Sequence, residues 1–180
     1  MAEFSKAMID RTIVQHEGGN FENDPGDEPT KWGIIANDIT ECIVDGFLPK
    51  IDNTVEYIKN STLDQAASIH KHLYFDKLTL VKLVYQTVAD KIFDMALPIG
   101  REKATLCAQR ACRSVSADQK QIEEDGIMGA NTLAAINFCF DKNFLAAFRS
   151  ECAGYYRMVV KNKPEKQKFL KGWLDRCYSL

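Results

Sequence analysis

His16-Glu17-Gly18-Gly19, separated by four residues from Asp24-Pro25-Gly26-Asp27-Glu28-Pro29-Thr30-Lys31-Trp32-Gly33-Ile34, is the stretch on which the reading of this chain turns. Upstream, Phe4 and Met8, then Ile9 and Ile13, recur at i, i+4 spacing. That predicts a helix from Phe4 to about Glu17, stopped by Gly18-Gly19. Glu17 continues the Ile9–Ile13 row at the next step of four, so the spacing turns it inward. It also falls in the last helical turn, where exposed carbonyls carry negative partial charge. Burial and that dipole both disfavour the carboxylate. A glutamate kept protonated near neutral pH is what a general acid requires. Residues 20–32 are dense in Asn, Asp, Gly and Pro and predict a loop or a short irregular hairpin. Across it Asp27 can return toward Glu17 as a second carboxylate, with Thr30 to hold a water. Paired carboxylates across a cleft are the machinery of glycosidic bond cleavage. Spacing alone leaves the plainer alternative open: an exposed helix end, with Asp24 and Asp27 as turn-formers.

The rest of the composition excludes more than it names. The 180 residues carry 23 Lys plus Arg against 25 Asp plus Glu, a net charge of −2. Such a balance argues against nucleic-acid partners, whose binding rests on clustered cations. A hydrophobic fraction of 46% fits a globular chain. Charge interrupts Met1–Arg11 every few positions, whereas a secretory signal needs roughly 7–15 continuous apolar residues. No window approaches the roughly 20 apolar residues of a membrane span. Synthesis in the cytoplasm without a signal peptide is therefore expected. Six cysteines with no C-x-x-C read as reduced core thiols. His70-x-His72 is a weak pair, because i, i+2 positions on a helix do not face each other. No metal site and no cofactor is expected.

Along the chain the expectation is mostly helix. A short helix fits residues 36–46 before Gly46 and Pro49 break it. Thr62 with Gln65 reads as a capping box opening a helix to about Phe75. Leu80, Val84, Val88 and Ile92 trace one face of a long helix ending near Ala96. Pro98 and Gly100 then mark a boundary. Helices follow over residues 102–117, over Leu133–Phe140 and over 143–161, and Pro164 opens a last one. No strand-like alternation persists.

The Glu17-Gly18-Gly19 helix end, Asn23-Asp24-Pro25, Asp27 and Thr30-Lys31-Trp32-Gly33-Ile34 resemble the catalytic signature of glycoside hydrolase family 108. Further matches run in order: Tyr74-Phe75, Phe93-Asp94-Met95-Ala96 and Gly100. Asp125-Gly126-Ile127-Met128-Gly129-Ala130-Asn131-Thr132 resembles the motif of the small peptidoglycan-binding domain that follows in that family. Arg149, Tyr155-Tyr156 and Phe169–Arg176 complete it. In one departure, Glu28-Pro29 stands where the family usually has Gly-Gly, which leaves open whether Asp27 or Asp24 partners Glu17.

The resemblance implies a mainly α chain: a lysozyme-like catalytic domain over 1–98, with a small helical peptidoglycan-binding domain over 99–180 packed against it. It implies an N-acetylmuramidase that cleaves the β-1,4 bond between N-acetylmuramic acid and N-acetylglucosamine, as in phage lysis proteins and secretion-associated muramidases. Glu17 would be the acid, with Asp27 and Thr30 positioning water. Asp24, Trp32, Tyr74 and Phe75 would contact substrate, and Asp125, Asn131 and Trp173 would serve peptidoglycan recognition. Inversion and retention both remain open, with inversion favoured by analogy. The partners implied are glycan strands and a holin-like or other export partner, with action at the cell wall in the periplasm, as a monomer or weak dimer. A lytic transglycosylase and a non-catalytic peptidoglycan-binding protein are the alternatives. The first needs no water activator, so Asp27 and Thr30 argue against it.

Overall fold

Asn53 and Thr62 show at the smallest scale how this sequence starts its helices. Asn53 accepts a hydrogen bond from the Glu56 N–H at 3.1 Å. Thr62 accepts from the Gln65 N–H at 3.3 Å, while the Gln65 side chain accepts from the Thr62 N–H at 2.8 Å. Each satisfies donors that a helix start otherwise leaves orphaned. The computed structural model describes residues 1–23, 28–116 and 122–179. Among these the chain is mainly α, with no strand beyond two isolated antiparallel bridges. It forms two compact units, Glu3–Val81 and Lys82–Leu180, the second also holding Met1–Ala2.

The Glu3–Val81 unit begins with the expected helix, but its winding differs. Met8 and Ile9 N–H groups reach the Ser5 carbonyl at 3.1 and 3.4 Å, as in an ordinary opening turn. From Met8 to Glu17 the helix is of π type, and it closes with the Gly18 N–H on the Ile13 carbonyl, five residues back, at 3.0 Å. Helices α1 (Ala36–Val44), α2 (Thr54–Asn60) and α3 (Leu63–His70) follow, and α3 runs into a second π segment, Lys71–Asp76. Ile13, Ile34, Ile39, Cys42, Ile58, Ala66, Ile69 and Leu73 form their shared core. The described arms of the 20–32 hairpin pair: Glu22 and Thr30 exchange backbone hydrogen bonds of 2.9 Å. Helix α2 has no counterpart in the periodicity reading; its signal is the Asn53 cap.

In the second unit, α4 (Gln86–Ile99), α5 (Arg101–Val115), α6 (Ala130–Phe138), α7 (Asp141–Asn162) and α8 (Leu170–Tyr178) pack together, α7 against α4, α5 and α8. The predicted long helix from Leu80 is broken. Leu80–Lys82 is a single 3-10 turn, and α4 starts only at Gln86. The backbone between them is satisfied by other partners. Asn137 accepts from the Val84 N–H at 2.8 Å and donates to the Lys82 carbonyl at 3.0 Å, and the Ala2 N–H donates to Leu83 at 2.8 Å. Val84, expected on the buried face, is consequently exposed.

At its other end α4 runs through Pro98 rather than ending near Ala96. Proline has no N–H for the carbonyl four residues back. That carbonyl belongs to Asp94, and Arg176 of α8 donates to it instead, at 3.0 Å. The Asp94 carboxylate, buried, accepts from Lys91 at 2.8 Å and Arg176 at 3.0 Å, and Lys91 also donates to the Arg176 carbonyl at 2.6 Å. Asp94 is thus a structural acid. The six cysteines are buried free thiols, as expected; burial pushes those of Cys42 and Cys177 up to about 11. No helix among the described residues is long and apolar enough to cross a membrane.

Candidate active site

Glu17 ends the π-helix, half-buried, with its Oε1 out of solvent. What seats it is the returning arm of the hairpin. The Trp32 N–H donates to the Gly18 carbonyl at 2.9 Å, which draws Trp32-Gly33 alongside the helix end. Gly33, at φ +73°, then lies so close that a Cβ there would sit 2.8 Å from the Glu17 Cγ and Oε2. Only glycine fits between the backbone and that carboxyl. The Trp32 indole covers Gly19, where a Cβ would lie 2.3 Å from the ring, and its Nε1 donates to the Ser61 carbonyl at 3.3 Å. Trp32 itself has φ +57°. For a bulky residue that conformation is strained by about 1–3 kcal/mol and persists only where its surroundings impose it.

A third tie on Trp32 comes from a histidine to which the sequence assigned no role. His70, at 0% exposure, places Nε2 2.7 Å from the Trp32 carbonyl oxygen. A carbonyl only accepts, so Nε2 carries the proton. Asp38 lies nearby in α1, also buried. One of its oxygens accepts from the Ile35 N–H at 3.0 Å, the other from the Tyr74 hydroxyl at 3.3 Å. Burial lowers the imidazole's proton affinity and raises that of the Asp38 carboxyl. His70 shares an inward row with Ala66, Ile69 and Leu73, at i, i+3, i+4, i+7 spacing. A histidine on an apolar row was the available signal for it. His72 has a separate place, stacked on Phe47 and bonded to Asp45 at 2.8 Å.

The predicted residues distribute as follows. Glu17, Trp32 and Gly33 are brought together, and Thr30, half-buried, is fixed two residues before Trp32 by its backbone pair with Glu22. Asp24 and Asp27 lie outside the described residues. Tyr74 is half-buried, its hydroxyl on Asp38. Phe75 is a core residue, packed edge-on to Phe4 at 5.7 Å. The arrangement offers a shielded carboxyl beside a backbone wall and an indole, suited to delivering a proton to a substrate oxygen.

In the second unit, Asp125 accepts from the Ile127 N–H at 2.8 Å and from Gln109 at 2.7 Å. Those donors hold its carboxyl below the usual range. Gln109, at 1% exposure, also donates to Thr132 at 3.1 Å and accepts from the Gly126 N–H at 3.0 Å, so it organises the whole turn. Asn131 is exposed in the first turn of α6. Trp173 is half-buried between Tyr156 and Phe169, with ring centroids at 4.7 and 5.7 Å.

Comparison with known proteins supplies the remaining findings. Residues 11–100, half of the chain, match the family model described as Glycosyl hydrolase 108. Residues 103–178 match the model described as Predicted Peptidoglycan domain. No curated protein matches the chain significantly. Among solved structures, that of Brucella abortus SagA covers 97% of this chain and 88% of its own at 23% identity, with a TM-score of 0.72. At that identity the likeness is one of fold.

Proposed function

Because the chain belongs to the glycosyl hydrolase 108 family, with a predicted peptidoglycan domain behind the catalytic region, we propose that it hydrolyses the β-1,4 bond between N-acetylmuramic acid and N-acetylglucosamine. The observation that carries this reading is the Glu17 carboxyl, half-buried at a helix end and seated against Gly33. Glu17 protonates the leaving oxygen, and a loop aspartate, Asp27 or Asp24, positions water with Thr30. The separation of the two carboxyls sets the stereochemistry, about 5–5.5 Å for retention and about 6.5–9.5 Å for inversion. Trp32 and Tyr74 flank the sugar. Residues 1–98 carry catalysis and 99–180 wall recognition, through Asp125, Asn131 and Trp173. The reading places the enzyme at the cell wall, opening the wall for a toxin or a phage.

The test digests purified peptidoglycan with wild type and Glu17→Gln and reads the fragments by mass. Reducing muramic acid ends from wild type, with release lowered at least about 100-fold in the variant, is the expected outcome. Equal release by both removes Glu17 from catalysis. Anhydro ends make the protein a lytic transglycosylase, and no release from any wall type makes it a binding protein.

A further inference from the structure

Trp32 and Gly33 form consecutive left-handed positions, at φ +57° and +73°, directly against the proposed general acid. Glycine explains the second. The first is a tryptophan, which would leave that conformation if free to do so. Its N–H is tied to the Gly18 carbonyl and its indole to the Ser61 carbonyl. Its own carbonyl is tied to one side chain only among the described residues, the His70 imidazole, at 2.7 Å. Nδ1 of that ring is buried with no hydrogen-bond partner among the described residues. A histidine used only for packing would be replaceable by leucine at lower cost, since an apolar side chain buries no lone pair. Here a polar ring is buried complete, and its one bond holds the strained residue beside Glu17.

We propose that His70 is the positioning residue for Glu17: its Nε2–H clamps the Trp32 carbonyl, holds Trp32-Gly33 in the left-handed pair, and so fixes the wall against which the acid's carboxyl rests. The inference rests on the reading of Glu17 as the acid. The clamp needs only the Nε2–H; a second proton would sit on Nδ1, which has no hydrogen-bond partner among the described residues. The ionisable groups around the ring are Asp38 from α1, Glu17 from the first helix and Tyr74 from the second π segment, whose ring centroid lies 5.7 Å away. Burial outweighs the bond to the Trp32 carbonyl and the attraction of the two carboxyls, so the ring's proton affinity is lowered.

His70→Leu removes the donor and keeps an apolar filling; His70→Gln restores an N–H donor. Initial rates of digestion at varied peptidoglycan concentration separate kcat from KM. The expected result for His70→Leu is a fall in kcat of about 10- to 100-fold with KM nearly unchanged, because misplacing a catalytic group acts on the chemical step. His70→Gln should recover much of that fall. Nitrogen-15 NMR of histidine-labelled wild type should show a protonated Nε2 and a bare Nδ1 on one imidazole at pH 6.5 and above. This readout does not depend on any variant folding. Wild-type kcat in a folded His70→Leu, equal losses in both variants, or an imidazole that titrates near pH 6.5 would each overturn the proposal. Glu17→Gln is measured alongside. If that variant stays active, the catalytic reading fails, while the NMR result still tests the clamp. If it is inactive and His70→Leu is fully active, the positioning role alone fails.

Discussion

Two glycines near Glu17 share a positive φ but have different reasons for it. Gly18 and Gly33 both have φ +73°, yet a Cβ on Gly18 meets nothing within 4 Å, while one on Gly33 meets the Glu17 carboxyl at 2.8 Å. Gly18→Ala should therefore cost about 1–3 kcal/mol of stability from the backbone alone, at φ +73° and ψ 162°, with digestion largely kept. Gly33→Ala also places a Cβ at positive φ and, in addition, pushes the carboxyl away, so digestion should fall by about 100-fold. Thermal melts and initial rates on the two variants check the contrast; equal activity would mean that Glu17 tolerates displacement. His70 makes a second residue-scale prediction. Its folded proton affinity lies below the ordinary value near 6.5, so the unfolded chain binds the extra proton first. Stability at this site is intact above about pH 6.5 and declines as pH falls from there toward the depressed folded value. Chemical denaturation of wild type and His70→Gln between pH 7 and pH 5 should show a steeper loss in wild type.

Helices in this chain are placed by local signals and joined by buried polar clamps. The Asn53 and Thr62 caps are local and readable. The Asp94–Lys91–Arg176 cluster is not, because Arg176 lies 82 positions from Asp94. Removing one member of a buried charged group strands the others, so Asp94→Ala should destabilise the second unit by about 3–5 kcal/mol in urea denaturation. Asp175, paired with Lys171 on the surface of α8, provides the control: Asp175→Ala should leave the midpoint unchanged. Gln109 behaves as Asp94 does. It unites Asp125, Gly126 and Thr132 from a buried position, which explains why the Asp-Gly-Ile-Met-Gly turn reads as a motif. The π winding of the first helix is a different case. The i, i+4 row of Phe4, Met8, Ile9 and Ile13 marks which side faces inward, but it does not carry the five-residue hydrogen-bond step seen from Gly18 back to Ile13.

At the scale of the molecule, family boundaries and packing boundaries fall at different places. The hydrolase match ends at residue 100, whereas the compact units divide at Lys82. Helix α4 belongs to the first by sequence and to the second by packing, burying Val88, Ile92, Phe93 and Met95 within the second unit. A fragment of residues 1–98 would expose that face, so it should aggregate or bind a hydrophobic dye while the full chain does not. The net charge of −2 shapes the last prediction. Attraction of many cations to an anionic wall cannot supply the affinity, so sedimentation with peptidoglycan should change little between low and physiological salt. A steep loss would place recognition on clustered lysines and arginines instead.

Residue order by itself determined what depends on neighbours along the chain. The helical character, the capping box, the 20–32 hairpin, the buried thiols and the candidate acid at a helix end were all legible there. So was the family, because its motifs are short and ordered. The tertiary structure decided what depends on partners far apart in sequence: Asn137 ending the Leu80 helix early, Arg176 replacing the N–H that Pro98 lacks, and Phe75 turned into the core. It also decided His70. Sequence showed a histidine on an apolar row, but not the carbonyl it would meet, because Trp32 lies 38 positions away and enters reach only when the hairpin closes on α3. Side-chain hydrogen bonds are specified by directions in space, and periodicity fixes only the face from which they start.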